Sequence, residues 1–111
     1  MKIVRLSNLS PRSVTGDGAK GLRYRGPLDG ESLRVNHVEI EPGGVSRQHG
    51  HEWEQVNYVL AGSGTLVCEG ETRAIEMGDL VLIPGESEHL YRNDGRETLV
   101  LLGVLGPESL V

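Results

Sequence analysis

The sequence predicts an all-β domain, a barrel or sandwich of short strands, on three observations. Apolar stretches of strand length, roughly four to eight residues, alternate with turn signals along most of the chain. Sixteen glycines and five prolines are spread through the 111 residues, as in chains with many tight turns. No stretch sustains the apolar period of an amphipathic helix. A chain of this length corresponds to one domain, 1–111, large enough to bury a core without staples.

The elements follow in order. Lys2 to Leu6 is expected as a first short strand, before a polar stretch holding Pro11, Gly16, Gly18 and Gly21. Leu22 to Arg25 is the next, broken by Gly26-Pro27 and Asp29-Gly30. Leu33 to Ile40 alternates imperfectly and is a third strand, with Glu41-Pro42-Gly43-Gly44 as its turn. His51 to Leu60 follows, then a turn at Ala61-Gly62-Ser63-Gly64. Thr65 to Glu69 and Thr72 to Glu76 form a hairpin across Gly70-Glu71. Gly78-Asp79 leads into Leu80 to Ile83, which Pro84-Gly85 stops. Glu88 to Arg92, a turn at Asn93-Asp94-Gly95 and the long strand Thr98 to Leu105 complete the set. Gly62 and Gly78 are expected at tight turns with positive φ, which glycine adopts cheaply.

Composition excludes several function classes. The formal net charge is −5, and Arg23, Arg25, Arg34 and Arg47 are scattered among acids, so no nucleic acid is expected as partner. Residues 1–13 lack the apolar centre of a signal peptide. No apolar run approaches the roughly 18 residues of a membrane helix, so no membrane partner is expected and a cytoplasmic location is. The single cysteine, Cys68, rules out an internal disulfide and suits a reducing compartment. Its thiol is read as a small packed hydrophobe.

Three of the four histidines form a pattern. His49 and His51 are two residues apart, so on a strand both face one side. Gln55 keeps that parity, and Asn57 and Val59 extend it. His89 arrives from a later strand, just after Pro84-Gly85. If that face is the interior, three imidazoles and an amide oxygen converge there. Neutral imidazole is a good donor to divalent Mn, Fe, Ni, Zn and Cu. Three His and one neutral oxygen leave positions of an octahedron open, as a catalytic metal requires.

The run Gly43 to His51, continued by Gln55 and Gly62, resembles the first motif of the cupins, G-x5-H-x-H-x3,4-E-x6-G. Gln55 stands where that pattern usually has Glu. Gly78, Pro84, His89 and Asn93 resemble the second motif, G-x5-P-x-G-x2-H-x3-N. Glu86 replaces its middle glycine, and Gly85 sits one place early. Residues 63–77 separate the two motifs. The run His49-Gly50-His51-Glu52-Trp53-Glu54-Gln55 is similar to small single-domain bacterial cupins with an H-x-H-x-W-E-H motif or its Gln variant. The resemblance implies a double-stranded β-helix, the cupin jelly roll, with its core barrel over about residues 31–106. It implies one divalent transition metal ion per chain, manganese first, on His49, His51, Gln55 and His89. It also implies a homodimer, for which the N-terminal strands of residues 1–26, with Leu22 and Tyr24, are the candidate interface.

Other residues carry weaker signals. Trp53, Asn57 and Tyr91 share parity with the ligands and are candidates to line the cavity; core packing is the competing role for Trp53 and Tyr91. Leu101 and Gly103, alternating on the last strand, are candidates for the cavity floor by the resemblance. Glu52 and Glu54 have the opposite parity and belong on an outer face unless a bulge intervenes. His37 matches no motif position and is read as structural or surface. The implied function is a metalloenzyme of oxygenase type acting on a small anionic or enolisable molecule. The alternatives are an isomerase or lyase, and a module that binds a small molecule or metal without turnover.

Overall fold

The computed structural model describes residues 1–107. Nine strands and one 3-10 turn (Leu6–Asn8) account for its regular structure. The strands are β1 (Arg12–Val14), β2 (Lys20–Asp29), β3 (Arg34–Val45), β4 (Gln55–Ala61), β5 (Ser63–Cys68), β6 (Glu71–Glu76), β7 (Leu80–Ile83), β8 (His89–Arg92) and β9 (Leu99–Leu105). All named pairings are antiparallel. The all-β barrel or sandwich expected from strand spacing is found, in the jelly-roll form that the resemblance implies. No helix of the described residues is long and apolar enough to cross a membrane.

One sheet curls on itself in the order β6-β5-β8-β3-β9-β4-β7, with β2 on β3 and β1 on β2. β3 belongs to both halves. Its first part, Arg34–Ile40, pairs with β9 on one side and with β2 on the other. Its last residue, Val45, pairs with Arg92 of β8 and with Lys20 of β2. The chain bends between these parts at Gly43-Gly44. A Cβ on Gly44 would lie 2.7 Å from the Lys20 carbonyl oxygen, so only glycine lets β2 and β3 approach so closely there.

Period-two alternation decides what goes inside. On β4, Gln55, Asn57 and Val59 are buried while Val56, Tyr58 and Leu60 are exposed. On β9, Leu99, Leu101, Gly103 and Leu105 are buried. Leu99 and Leu101 pack with Val38, Ile40 and Val59 between the two halves. Each such side chain contributes about 1.5–3 kcal/mol by leaving water. The interior polar residues, Gln55, Asn57, His89 and Asn93, therefore stand against an apolar background.

Several elements differ from expectation. Residues 1–5 form no strand; β1 lies later, at Arg12–Val14, where β2 offers an edge. β2 runs through Gly26-Pro27, because a register shift between Arg25 and Leu28 sets those two residues against Asn36 alone. A bulge asks no ladder hydrogen bond of the proline. β3 likewise continues past Pro42. The hairpin loop between β5 and β6 is Glu69-Gly70, one place earlier than expected, with φ of 49° and 75°. That pair of positive φ values is the geometry of a type I′ turn. Gly62 and Gly78 take positive φ as expected. The barrel also starts before residue 31, since β2 is an integral strand. Leu22 and Tyr24 are 2% and 3% exposed and belong to this chain's own core. Neither has surface left to offer as the expected dimer contact.

Candidate metal centre

The segment between β3 and β4 leaves the ladder, so the parity argument for His49 and His51 does not describe how they meet. Ser46 begins it by capping β8: its N–H donates to the Tyr91 carbonyl (2.8 Å), and its hydroxyl accepts from the Tyr91 N–H (2.7 Å). His49 and His89 then form one isolated antiparallel bridge, with N–H···O distances of 3.3 and 3.1 Å. Gly50 passes against Ser87 and Glu88, where a Cβ would lie 3.2 Å from the Ser87 carbonyl. His51 is tied to the loop after β7 by the Glu86 N–H, which donates to its carbonyl. The ring centroids of the three histidines are 5.1 to 5.7 Å apart.

The Pro84–Glu86 loop explains the departure from the glycine pattern. Glu86 takes φ +62°, the left-handed conformation in which the usual glycine is at ease. Gly85 is required for a different reason, since a Cβ there would fall 2.4 Å from the Glu52 carbonyl oxygen. Two backbone demands, a positive φ and a close approach, thus fall on adjacent residues.

Backbone carbonyls set the tautomer of all three rings. His49 Nδ1 lies 3.0 Å from the Arg47 carbonyl, His51 Nδ1 3.0 Å from the Trp53 carbonyl, and His89 Nδ1 3.0 Å from the Ser87 carbonyl. A carbonyl can only accept, so each Nδ1 carries the proton and donates. In the neutral rings the lone pair is then on Nε2. One ring nitrogen from each histidine lies within 4.8 Å of the other two. His89 Nε2 is buried and has no hydrogen-bond partner among the described residues.

Gln55 completes the cluster. Its Oε1 lies 2.7 Å from His51 Nε2, while its Nε2 donates to Asn57 Oδ1 at 2.6 Å. Tyr91 also donates its hydroxyl to Asn57 Oδ1, at 2.8 Å. In this arrangement two acceptors face each other across 2.7 Å, and a cation reconciles them. An orphaned buried imidazole nitrogen and this acceptor pair fit a metal ion. Burial holds the surrounding groups neutral. It pushes His89 down to about 4, helped by His49 and His51 and opposed by the bond to the Ser87 carbonyl. Burial likewise raises Tyr91 above the usual phenol range.

The remaining candidates are dispersed. Trp53 is 46% exposed, outside strand parity, with its ring over Gly106, where an added Cβ would strike the indole. Leu101 and Gly103 are buried on β9, Leu101 within the apolar core. Glu52 and Glu54 are exposed. His37 is buried on β3 beside Glu39, and its burial lowers its pKa. Sequence reasoning missed Ser46 and Ser87, whose roles rest on backbone geometry that carries no side-chain signature.

A cavity of about 490 Å³ opens along the gap between β6 and β7. Three of its lining residues abut the cluster: Ile83 is the register partner of Gln55, Cys68 that of His89, and the Ser87 carbonyl holds His89 Nδ1. Its walls are mixed, with an apolar part formed by Leu66, Ile75, Val81 and Ile83. Among the described residues Arg73 is its one cationic lining residue and pairs with Glu71 at 2.7 Å; Glu69 and Asp79 also line it.

Comparison with known proteins agrees with this geometry. The cupin domain profile matches residues 36–105. A 1-hydroxy-2-naphthoate 1,2-dioxygenase from Nocardioides sp. (strain KP7) is 31% identical over 85 residues, covering 73% of this chain and 22% of that protein. The chain spans 16–26% of the length of the first curated relatives it matches. A predicted oxalate decarboxylase from Thermotoga maritima superposes with a TM-score of 0.87 at 24% identity, covering 96% of this chain and 99% of that one. The polyketide cyclase RemF from Streptomyces resistomycificus superposes with a TM-score of 0.85 at 27% identity, covering 100% and 87%. With both motifs on one jelly roll and three histidines that can hold a metal ion at its interior, the chain belongs to the cupin domain family.

Proposed function

We propose that this chain is a metal-dependent cupin acting on a small enolisable or anionic molecule. In this reading His49, His51 and His89 hold one divalent transition metal ion through Nε2, and Gln55 holds it through Oε1. Manganese is the first expectation for the ion. The observation that carries the reading is that every ring commits Nδ1 to a backbone carbonyl, with Gln55 Oε1 set 2.7 Å from His51 Nε2. Outer hydrogen bonds of this kind fix ring orientation and raise donor strength at metal sites.

When bound, the metal supplies Lewis-acid polarisation of a substrate oxygen, or a centre for oxygen activation. The chain's own residues do the rest. Four neutral donors leave the ion's full charge uncompensated, which favours an anionic oxygen from the substrate. Asn57 and Tyr91 hold the Gln55 amide in place from behind. The apolar part of the cavity wall, from Leu66, Ile75, Val81 and Ile83, suits an apolar body. Arg73 is outnumbered on that surface by Glu69, Glu71 and Asp79, so attraction of an anion rests on the metal. The similar dioxygenase is named for 1-hydroxy-2-naphthoate and RemF for polyketide cyclisation, and an apolar body with an oxygen-bearing head suits this cavity.

A second reading is a binding module without turnover. It is favoured by the lining carboxylates: Glu71 is paired with Arg73, Glu69 accepts from the Glu88 N–H and Asp79 from the Glu76 N–H. None is left poised as a general base. Oxygen uptake by Mn- or Fe-loaded protein with a panel of aromatic hydroxy acids and enols separates the readings. Substrate-dependent uptake is expected. Saturable binding with no uptake and no product favours the module, and oxygen-independent product formation favours an isomerase or lyase.

A further inference from the structure

We infer that the inward-facing pair Glu71 and Arg73 sets which ligands the cavity admits: molecules with one oxygen-bearing head and an uncharged or cationic far end, and not those with a second carboxylate there. This rests on the reading above, in which the head binds a metal ion held by the three histidines and Gln55. Two rows of side chains cross β6, β5 and β8. Cys68 lies opposite Glu71 on one side and His89 on the other, and Leu66 lies opposite Arg73 and Tyr91. Leu66, Tyr91 and His89 are buried, so both rows are on the inner face. Ile75, which shares the parity of Glu71 and Arg73 on β6, is buried as well. Each row thus starts with a charged side chain at the open edge and ends at the cluster. Neighbouring strands are about 4.8 Å apart, which places the backbone of Glu71 roughly 10 Å from that of His89. His89 Nε2, buried and without a hydrogen-bond partner among the described residues, is where the row ends. A ligand whose head reaches that point and whose body lies on Cys68 and Leu66 turns its far end to Glu71 and Arg73.

That edge is acidic. Arg73 Nε and Nη2 both donate to Glu71 Oε1 at 2.7 Å, so the guanidinium is committed and the pair is close to neutral. Glu69 and Asp79 line the same cavity. Each accepts one backbone N–H, from Glu88 and Glu76, which leaves its charge in place. The acids act on the interior: after burial, the charges of Glu69 and Glu71 raise the Cys68 thiol above its ordinary range. A second carboxylate brought to this edge meets two uncompensated negative charges and a guanidinium already taken. An uncharged end meets no such repulsion, and an ammonium is attracted. The metal draws one anionic oxygen inward while the edge turns a second away, so the selectivity comes from the repulsive element. The Glu71 and Arg73 side chains are 63% and 73% exposed, and solvent screening keeps the effect to several-fold.

Ligand titration of the cobalt-loaded full chain, followed by the visible absorption of the ion, tests this without turnover. The probes are a two-ring aromatic hydroxy acid, the same acid with a second carboxylate on the far ring, and the same acid with an aminomethyl group there. The diacid is expected to bind at least about fivefold more weakly than the parent, and the amine at least as tightly, with both differences shrinking as salt is raised. Glu71→Gln removes one charge and releases Arg73 to pair with a carboxylate, so the diacid should then match or exceed the parent. Glu97→Gln, at an exposed residue outside the cavity, makes the same change in net charge and should keep the native preference. Unchanged far-UV circular dichroism and cobalt content would show that both variants stay folded. Equal affinity of the native protein for parent and diacid overturns the inference and leaves the metal reading standing. So does a preference that survives Glu71→Gln, or one that Glu97→Gln removes equally. A chain that takes up no cobalt, or whose spectrum no probe alters, overturns both.

Discussion

At Gln55 one neutral side chain carries much of the chemistry. A glutamate there would add a full negative charge beside the metal. Gln55→Glu is therefore expected to tighten metal binding by roughly tenfold or more, and to weaken binding of anionic ligands in the same protein. Chelator competition and ligand titration measure the two effects, and parallel changes would contradict the charge argument. The amides of Gln55 and Asn57 are expected to respond to the ion as well. Without it, half a turn of both lets Gln55 Nε2 donate to His51 and Asn57 Nδ2 donate to Gln55 and Tyr91. Metal addition should then shift the Gln55 and Asn57 side-chain amide resonances together. His89 predicts the pH behaviour of the metal-free protein. Its folded pKa of about 4 lies below the 6.5 of the free side chain, so the unfolded chain binds more protons between those values. Stability is full above about pH 6.5 and falls as the pH drops toward 4, by up to about 3 kcal/mol. Urea unfolding across that window, compared with His89→Gln, isolates this part. An equal slope in the two proteins would remove His89 as its source.

The elements that hold the site were unevenly legible. β4, β7 and β9 announce themselves by alternation and by their bounding glycines, and their ends fall within a few residues of expectation. The segment from Ser46 to Glu54 did not, because its conformation is fixed by partners distant in sequence: Tyr91, His89, Ser87 and Glu86. Strand parity brought His49 and His51 to the correct side for a reason that does not hold. It failed at Trp53, whose ring turns out over Gly106. The Pro84–Glu86 loop separates the two glycine requirements experimentally. Gly85→Ala drives a methyl into the Glu52 carbonyl and is expected to displace His51, lowering metal affinity at least about tenfold. Glu86→Gly relieves a left-handed φ at some entropic cost in the unfolded chain and should change stability by no more than about 1 kcal/mol, with metal affinity kept. Thermal unfolding and metal titration of the two variants check the contrast. Equal loss of metal binding in both would contradict it.

For the whole molecule, turn spacing and two histidine motifs in order were enough to read the jelly roll and the three imidazoles. The cavity between β6 and β7 was not readable, since it depends on where two edge strands fail to meet. The apolar outer face was written in the sequence as Val56, Tyr58, Leu60, Leu80 and Leu82, but only the register shows them lying side by side. A long alternating strand says which residues share a face and leaves open which face meets water.

The central claim is that this barrel closes around a divalent metal held by His49, His51, Gln55 and His89. Elemental analysis of untagged protein, native and His89→Ala, tests it most directly. About one transition metal ion per chain is predicted for the native protein, and less than about a tenth of that for His89→Ala. A native protein that contains no metal and takes none up, or a His89→Ala variant with unchanged occupancy, would contradict it.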